Sequence, residues 1–129
     1  MNSNKPICII PARGGSKRIK NKNLLKINGK RLIEHAIHIA KNSKIFSKII
    51  VTTDSKKIAR VSIAAGAEVP FLRQNKLSGS YVTIKDTLHD CIYRVNSNNV
   101  EYHCCLFPTA VLISPNDLKS AYLNVKKNK

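Results

Sequence analysis

The sequence is poor in aromatic residues and contains no long apolar run. Phe, Tyr and Trp together make 5% of the 129 residues, and Trp is absent. Single-stranded nucleic acids are bound by stacking on exposed aromatic side chains, so this scarcity argues against a nucleic-acid-binding domain. No apolar run approaches the ~18 residues that a membrane span requires, and the apolar stretch near Met1 is too short for a secretory signal. We therefore expect a cytoplasmic protein with no membrane segment.

Cysteine and histidine spacings typical of metal sites are also missing. The four cysteines are Cys8, Cys91, Cys104 and Cys105, and no Cys-x-x-Cys or Cys/His zinc pattern joins them. Because they lie in apolar surroundings, we interpret them as reduced cysteines that act as small core hydrophobes. No residue is therefore predicted to bind a metal.

Acidic residues are few, and the net charge is strongly positive. The 23 basic and 7 acidic residues give a formal net charge of +16. Such a balance favours binding to a negatively charged partner, such as nucleic acid, an acidic surface or a phosphorylated small molecule. Much of the charge falls on predicted helix surfaces, where water would solvate it. Local clusters of charge are therefore more informative than the total.

Apolar runs and amphipathic stretches alternate along the chain. Predicted strands cover 6–11, 48–53, 67–72 and 102–107, and predicted helices cover 30–42, 54–65, 82–95 and a segment that opens at 114. Asp54 or Ser55 is expected to cap the second helix, and Ser114 the last. Alternation of this kind predicts an α/β fold, with a mostly parallel sheet flanked by helices. Ligands bind such sheets outside the carboxyl ends of the strands.

The loop after the first predicted strand has the composition of a phosphate-binding loop. Residues 11–23 read PARGGSKRIKNKN, with two adjacent glycines, one serine and five positive charges. Glycines allow close backbone approach, and their N–H groups can bind an anion. The loop matches neither Gly-x4-Gly-Lys-[Ser/Thr] nor Gly-x-Gly-x-x-Gly, so a P-loop enzyme and a dinucleotide-binding enzyme are disfavoured. A glycine turn followed by a solvated basic loop remains an alternative.

The run IPARGGSKRI at 10–19, followed by Lys22 and Asn23, resembles the signature of the acylneuraminate cytidylyltransferases. The segments VTTD at 51–54, GAEVPFLR at 66–73 and FPTA at 107–110 are similar to later parts of the same pattern. The last two segments favour the pseudaminic acid branch of this family. The resemblance implies a Rossmann-like nucleotide-diphospho-sugar transferase fold, with residues 1–129 as its nucleotide-binding part.

The resemblance implies an enzyme that transfers CMP from CTP to the anomeric hydroxyl of a nine-carbon acidic sugar, of the pseudaminic or sialic acid type, and releases pyrophosphate. Mg²⁺ is expected to accompany CTP. Arg13 and Lys22 are the implied catalytic residues. The implied nucleotide-binding residues are Ala12, Arg13, Gly14, Ser16, Lys22, Asn23 and Arg73. For Arg73 a surface-loop position is the alternative, and Asp54 is expected to cap a helix rather than approach a metal or the ribose.

The chain departs from the family pattern at a few positions and in length. Phe107 stands where many sialic acid enzymes have Gln, and Lys20 and Val111 stand where Pro is common. The later region of the family, with its Asp-x-Asp for Mg²⁺, much of the sugar pocket and the homodimer contacts, has no counterpart here. We therefore expect a C-terminally truncated domain that binds CTP weakly and turns over little alone. An inactive CTP-binding module and an enzyme for another sugar, such as Kdo, remain alternatives.

Overall fold

Strands and helices alternate in the computed structural model, which describes residues 5–14, 22–73, 83–95, 97, 99–110 and 112–128. The strands are β1 (Ile7–Pro11), β2 (Lys26–Ile27), β3 (Lys30–Arg31), β4 (Lys48–Thr52) and β5 (His103–Cys105). The helices are α1 (Leu32–Ser43), α2 (Lys56–Ala64), α3 (Ile84–Arg94) and α4 (Pro115–Lys127), with a short 3₁₀ turn at Lys22–Leu24. The predicted α/β class is confirmed.

The main sheet is parallel and has the order β4-β1-β5. β1 is buried along its whole length because it lies in the centre and carries apolar side chains on both faces. Cys8 and Ile10 point to a core that includes residues of α1 and Leu118 of α4. Ile7 and Ile9 point to the opposite face, where Cys91 of α3 covers them. Helices on both faces thus hold β1 in place, together with the loop at its carboxyl end.

Two predicted elements differ in the structure. The first helix begins at Leu32 rather than at residue 30, because Lys30–Arg31 pairs with Lys26–Ile27 in a hairpin. Its turn residues Asn28 and Gly29 have φ of 53° and 82°, as a two-residue type I′ turn requires. The predicted strand at 67–72 is reduced to two isolated parallel bridges, at Glu68 and Leu72. Pro70 lies between these bridges and has no N–H to donate.

Some residues that the helical pattern predicts to be buried are exposed in the structure. The apolar spacing in α4 predicts that Leu118, Ala121, Tyr122 and Val125 point inward. Leu118 is buried and Tyr122 half-buried, but Ala121 is exposed and Val125 is 51% exposed. The helical spacing in α3 predicts a buried Ile84, but this side chain is exposed. The last predicted strand, at 102–107, is limited to His103–Cys105. None of the helices in the described part of the chain is long and apolar enough to cross a membrane.

The start of α4 is fixed by a capping box, which provides a first test of the fold. Asp117 N donates to Ser114 Oγ at 3.1 Å, and Ser114 N donates to Asp117 Oδ2 at 2.9 Å. Replacing Ser114 with Ala is expected to lower the free energy of unfolding by about 1 kcal/mol, measured by urea denaturation. Ser120→Ala, at an exposed position of the same helix, is the control and should change it by less than about 0.5 kcal/mol. Equal losses in the two variants would contradict the assignment of the cap.

Candidate nucleotide-binding site

The loops that follow β1 and β4 lie side by side at the carboxyl edge of the sheet. Ala12 N donates to the Thr52 carbonyl at 2.9 Å, and Gly14 N donates to Asp54 Oδ1 at 2.8 Å. This juxtaposition follows from the parallel pairing of β1 with β4, since neighbouring parallel strands end at the same edge. The edge is where ligands bind in sheets of this kind.

Gly14 allows the first loop to approach the beginning of α2 closely. A Cβ atom added at Gly14 would lie 3.0 Å from Ser55 Cβ, closer than side chains normally pack. Ser55 is itself fixed, because it is the N-cap of α2 and its Oγ accepts a hydrogen bond from Ile58 N at 3.2 Å. Any side chain at position 14 would therefore displace the loop or the helix start.

Asp54 binds the first loop, whereas Ser55 caps α2. The expectation that Asp54 caps this helix is therefore wrong, and the alternative cap, Ser55, is confirmed. The reason is geometric: the Asp54 carboxylate accepts the Gly14 N–H and so faces the loop. An approach of Asp54 to the ribose or to a metal, the alternative to the cap, stays untested.

Asn23 fixes the main chain of the first loop from the other side. Its side chain is buried, and Nδ2 donates to the Arg13 carbonyl at 2.8 Å. Asn23 lies in the 3₁₀ turn Lys22–Leu24, so the half-buried Lys22 is next to this anchor. The two implied catalytic residues, Arg13 and Lys22, are thus brought to the same part of the edge through Asn23.

Arg73 is a buried part of this edge and not a surface-loop residue, so that alternative is wrong. Its side chain is 8% exposed, and Nη2 donates to the Thr52 carbonyl at 3.2 Å. Arg73 N donates to the Thr53 carbonyl at 2.8 Å. Burial lowers the pKa of Arg73, and the nearby Asp54 carboxylate acts in the opposite direction. An arginine remains charged under such conditions, so Arg73 contributes a fixed positive charge to the edge.

The Thr52 carbonyl links the first loop to Arg73, because it accepts from both Ala12 N and Arg73 Nη2. Sequence reasoning did not select Thr52, since a main-chain carbonyl has no residue-specific signal. The hydrogen bonds of this edge include five of the implied nucleotide-binding residues: Ala12, Arg13, Gly14, Asn23 and Arg73. Lys22 lies next to Asn23 in the chain. Ser16 lies outside the described residues, as do Lys20 and Val111.

The described residues do not form a Mg²⁺ site of their own. No group of three or more His, Cys, Asp or Glu side chains in the described ranges could hold a metal ion. Asp54 uses one carboxylate oxygen to accept the Gly14 N–H, and it lies in the field of the cationic Arg73. A single carboxylate binds Mg²⁺ only together with water and the phosphates of a nucleotide, which complete its octahedral arrangement.

Known proteins are similar to this chain over most of its length. The chain is 43% identical over 120 residues to the pseudaminic acid cytidylyltransferase of Campylobacter jejuni serotype O:23/36, covering 92% of this chain and 52% of that protein. It is 36% identical to the CMP-N,N'-diacetyllegionaminic acid synthase of Legionella pneumophila, covering 89% of this chain and 50% of that protein. The chain thus spans about half the length of these relatives.

A solved structure and a family model also match this chain. The structure of a CMP:2-keto-3-deoxy-manno-octonic acid synthetase complexed with CTP superposes with a TM-score of 0.78 at 25% identity, covering 95% of this chain and 48% of that one. The family model described as Cytidylyltransferase matches residues 7–129. That match includes every described element of the fold, so the chain belongs to the cytidylyltransferase family.

Proposed function

We propose that this chain provides the nucleotide-binding part of an enzyme that transfers CMP from CTP to the anomeric hydroxyl of a nine-carbon acidic sugar, releasing pyrophosphate. Family membership and the names of the relatives support the reaction class. The neighbouring structure with bound CTP supports the nucleotide. Mg²⁺ carried on the phosphates of CTP, a homodimer in the whole enzyme and a cytoplasmic location remain predictions.

The observation that carries this proposal is the hydrogen-bonded edge that joins Arg13, Asn23 and Arg73. In the proposed reaction the sugar oxygen attacks the α-phosphorus of CTP, and negative charge develops on phosphate oxygens. Rigid positive charges that already face those oxygens need no reorganisation as the charge develops, which lowers the barrier. Arg13 and Lys22 are the proposed source of the positive charge. Asn23 fixes the position of Arg13 through the hydrogen bond to the Arg13 carbonyl.

For the sugar we propose the pseudaminic acid type. Relatives with that name are 42–43% identical to this chain over 120 residues. Phe107 follows β5 at the same edge of the sheet, and its side chain is 48% exposed. An exposed ring there offers an apolar surface, in place of the amide hydrogen bonds that a glutamine would make. This favours a sugar that presents an apolar group rather than a hydroxyl at that point.

The experiment that tests the proposal measures CMP-sugar formation from α-phosphate-labelled CTP. It compares this chain alone with the same chain fused to the remaining residues of the Campylobacter jejuni relative. We expect the fusion to form CMP-pseudaminic acid or CMP-N-acetylneuraminic acid where the chain alone forms little, with the choice of sugar set largely by the residues of the relative. Arg13→Ala in the fusion should lower the rate by about 100-fold or more. A fusion that binds CTP but transfers CMP to neither sugar would contradict the proposed reaction.

Asp54 gives a test of how the first loop is positioned. Asp54→Ala removes the acceptor of the Gly14 N–H, so CTP binding should weaken by about 5- to 10-fold. Asp54→Asn keeps a side-chain oxygen for that N–H and removes only the negative charge, so its affinity should stay within about 2-fold of the original or rise. Calorimetric titration with CTP measures both. If Asp54→Asn weakens binding as much as Asp54→Ala, the carboxylate charge itself matters, and the positioning role is incorrect.

A further inference from the structure

Cys8 and Cys104 face each other on neighbouring strands. The register of β1 and β5 pairs Cys8 with Cys104 directly. Both side chains belong to the same core, the one between the sheet and helices α1 and α4. Neighbouring strands lie about 4.8 Å apart, which is inside the range of Cα separations of about 4.4–6.8 Å that disulfides span.

The two thiols differ in access. Cys8 is fully buried at 0% exposure. Cys104 is half-buried and lines a groove of about 170 Å³, whose other walls include Phe46, Leu118 and Tyr122. A small solute can therefore reach Cys104 through the groove, whereas it can reach Cys8 only by way of Cys104.

The two thiols also differ in acidity. A hydrogen bond from the Cys8 thiol lowers the pKa of Cys104, and the same contact together with burial raises the pKa of Cys8. The thiolate is the nucleophilic form of cysteine. Cys104 is consequently the sulfur that reacts first, and Cys8 is the second thiol within reach of it.

We propose that Cys8 and Cys104 form a reversible modification site that a hydroperoxide converts to a disulfide. The Cys104 thiolate attacks the terminal peroxide oxygen, the O–O bond breaks, and the departing oxygen takes up a proton as water or alcohol. Cys104 is thereby oxidised to a sulfenic acid. The Cys8 sulfur then attacks the Cys104 sulfur, releases water and forms the S–S bond. In total, two thiols lose two electrons and two protons to one peroxide, and an external dithiol reverses the change.

The neighbouring cysteines provide matched controls. Cys105 is the next residue of β5 and pairs with Ile9, so its side chain points to the opposite face of the sheet. Burial raises the pKa of Cys105, and it raises that of Cys91 to about 11. Both thiols are therefore expected to remain reduced. The proposed disulfide would link the three-residue strand β5 to β1. It does not depend on the nucleotide-binding proposal.

The test counts free thiols in the denatured chain before and after treatment with hydrogen peroxide. We expect four thiols to fall to two, to return to four with dithiothreitol, and to fall from three to one in Cys105→Ala. Because Cys105→Ala leaves a single cysteine in the β5 peptide, a non-reducing digest of that variant should link this peptide to the one that contains Cys8. Cys8→Ala should form no intramolecular disulfide, and its Cys104 should react more slowly, because the hydrogen bond that lowers the Cys104 pKa is lost. Dimedone should still trap this Cys104 as a sulfenic acid. Retention of four thiols in the original chain, or a disulfide that involves Cys105 or Cys91, would overturn the proposal.

Discussion

Replacing Gly14 with alanine is expected to weaken CTP binding by about 10-fold or more, because the first loop is then displaced from its ligand geometry. The added Cβ would lie 3.0 Å from Ser55 Cβ and 3.4 Å from Asp54 Oδ1. Ser55 cannot move freely, since it caps α2, so the loop has to shift and the hydrogen bond from Gly14 N to Asp54 is distorted. Calorimetric titration with CTP measures the loss.

The control for this prediction is a second substitution that makes room for the added methyl group. Ser55→Gly removes the Cβ that the new methyl group at position 14 would meet, and glycine at an N-cap costs only a few tenths of a kcal/mol. The double variant should therefore recover CTP affinity to within about 3-fold of the original chain. If Gly14→Ala alone binds CTP as tightly as the original chain, the close contact is unimportant. If the double variant stays as weak as the single one, the loss has a cause other than this contact.

Arg73→Met is expected to lower the free energy of unfolding by about 2–3 kcal/mol, because a charged hydrogen bond in a buried position is lost. The Arg73 guanidinium donates to the Thr52 carbonyl, and the Asp54 carboxylate is near enough to favour its charged form. Methionine keeps much of the stem volume but leaves Asp54 without this counter-charge. Urea denaturation measures the stability, and titration with CTP should show weaker binding, because Thr52 also holds Ala12.

Arg94→Met is the matched control for this prediction. Arg94 is exposed, pairs with Asp90 at 2.9 Å and lies over the Phe71 ring at 5.1 Å. Exposed ion pairs of this kind contribute little, so the free energy of unfolding should fall by less than about 1 kcal/mol. Arg73→Lys should not restore stability fully, since an ammonium group lacks the planar geometry of the guanidinium. A similar loss from Arg94→Met and Arg73→Met would mean that Arg73 has no special role at the edge.

The sequence predicted the part of the site that depends on residue type and strand order. Gly14, Asn23 and Arg73 were selected through a family resemblance, and β–α alternation placed their loops at one edge of a parallel sheet. The structure adds which atoms join them, and these include the main-chain carbonyls of Thr52 and Arg13. Such acceptors are present at every residue, so no sequence pattern distinguishes them. The role of Asp54 was missed for a related reason, because both Asp and Ser are good helix caps and only geometry selects Ser55.

The fold was predicted less well where local signals compete. Asn28 and Gly29 are a strong hairpin signal, but the flanking strands have only two residues each and were absorbed into the predicted helix. The strand predicted at 67–72 has strand-like composition, yet Pro70 interrupts its pairing. In α4 the apolar spacing continues to Val125, whereas Leu118 is the position of this helix that is buried in the core. Burial depends on which neighbours an element meets, and periodicity alone does not contain that information.

The central claim, a cytidine nucleotide site at the carboxyl edge of β1 and β4, is tested most directly by calorimetric titration of the chain with CTP and with ATP. Both nucleotides carry the same triphosphate, so a cationic surface without a base site would bind them equally. We expect CTP to bind at least about 10-fold more tightly than ATP, a difference that the hydrogen-bonding groups of one base pocket can supply. Equal affinities that fall together as salt is raised would indicate a nonspecific basic surface and would contradict the account.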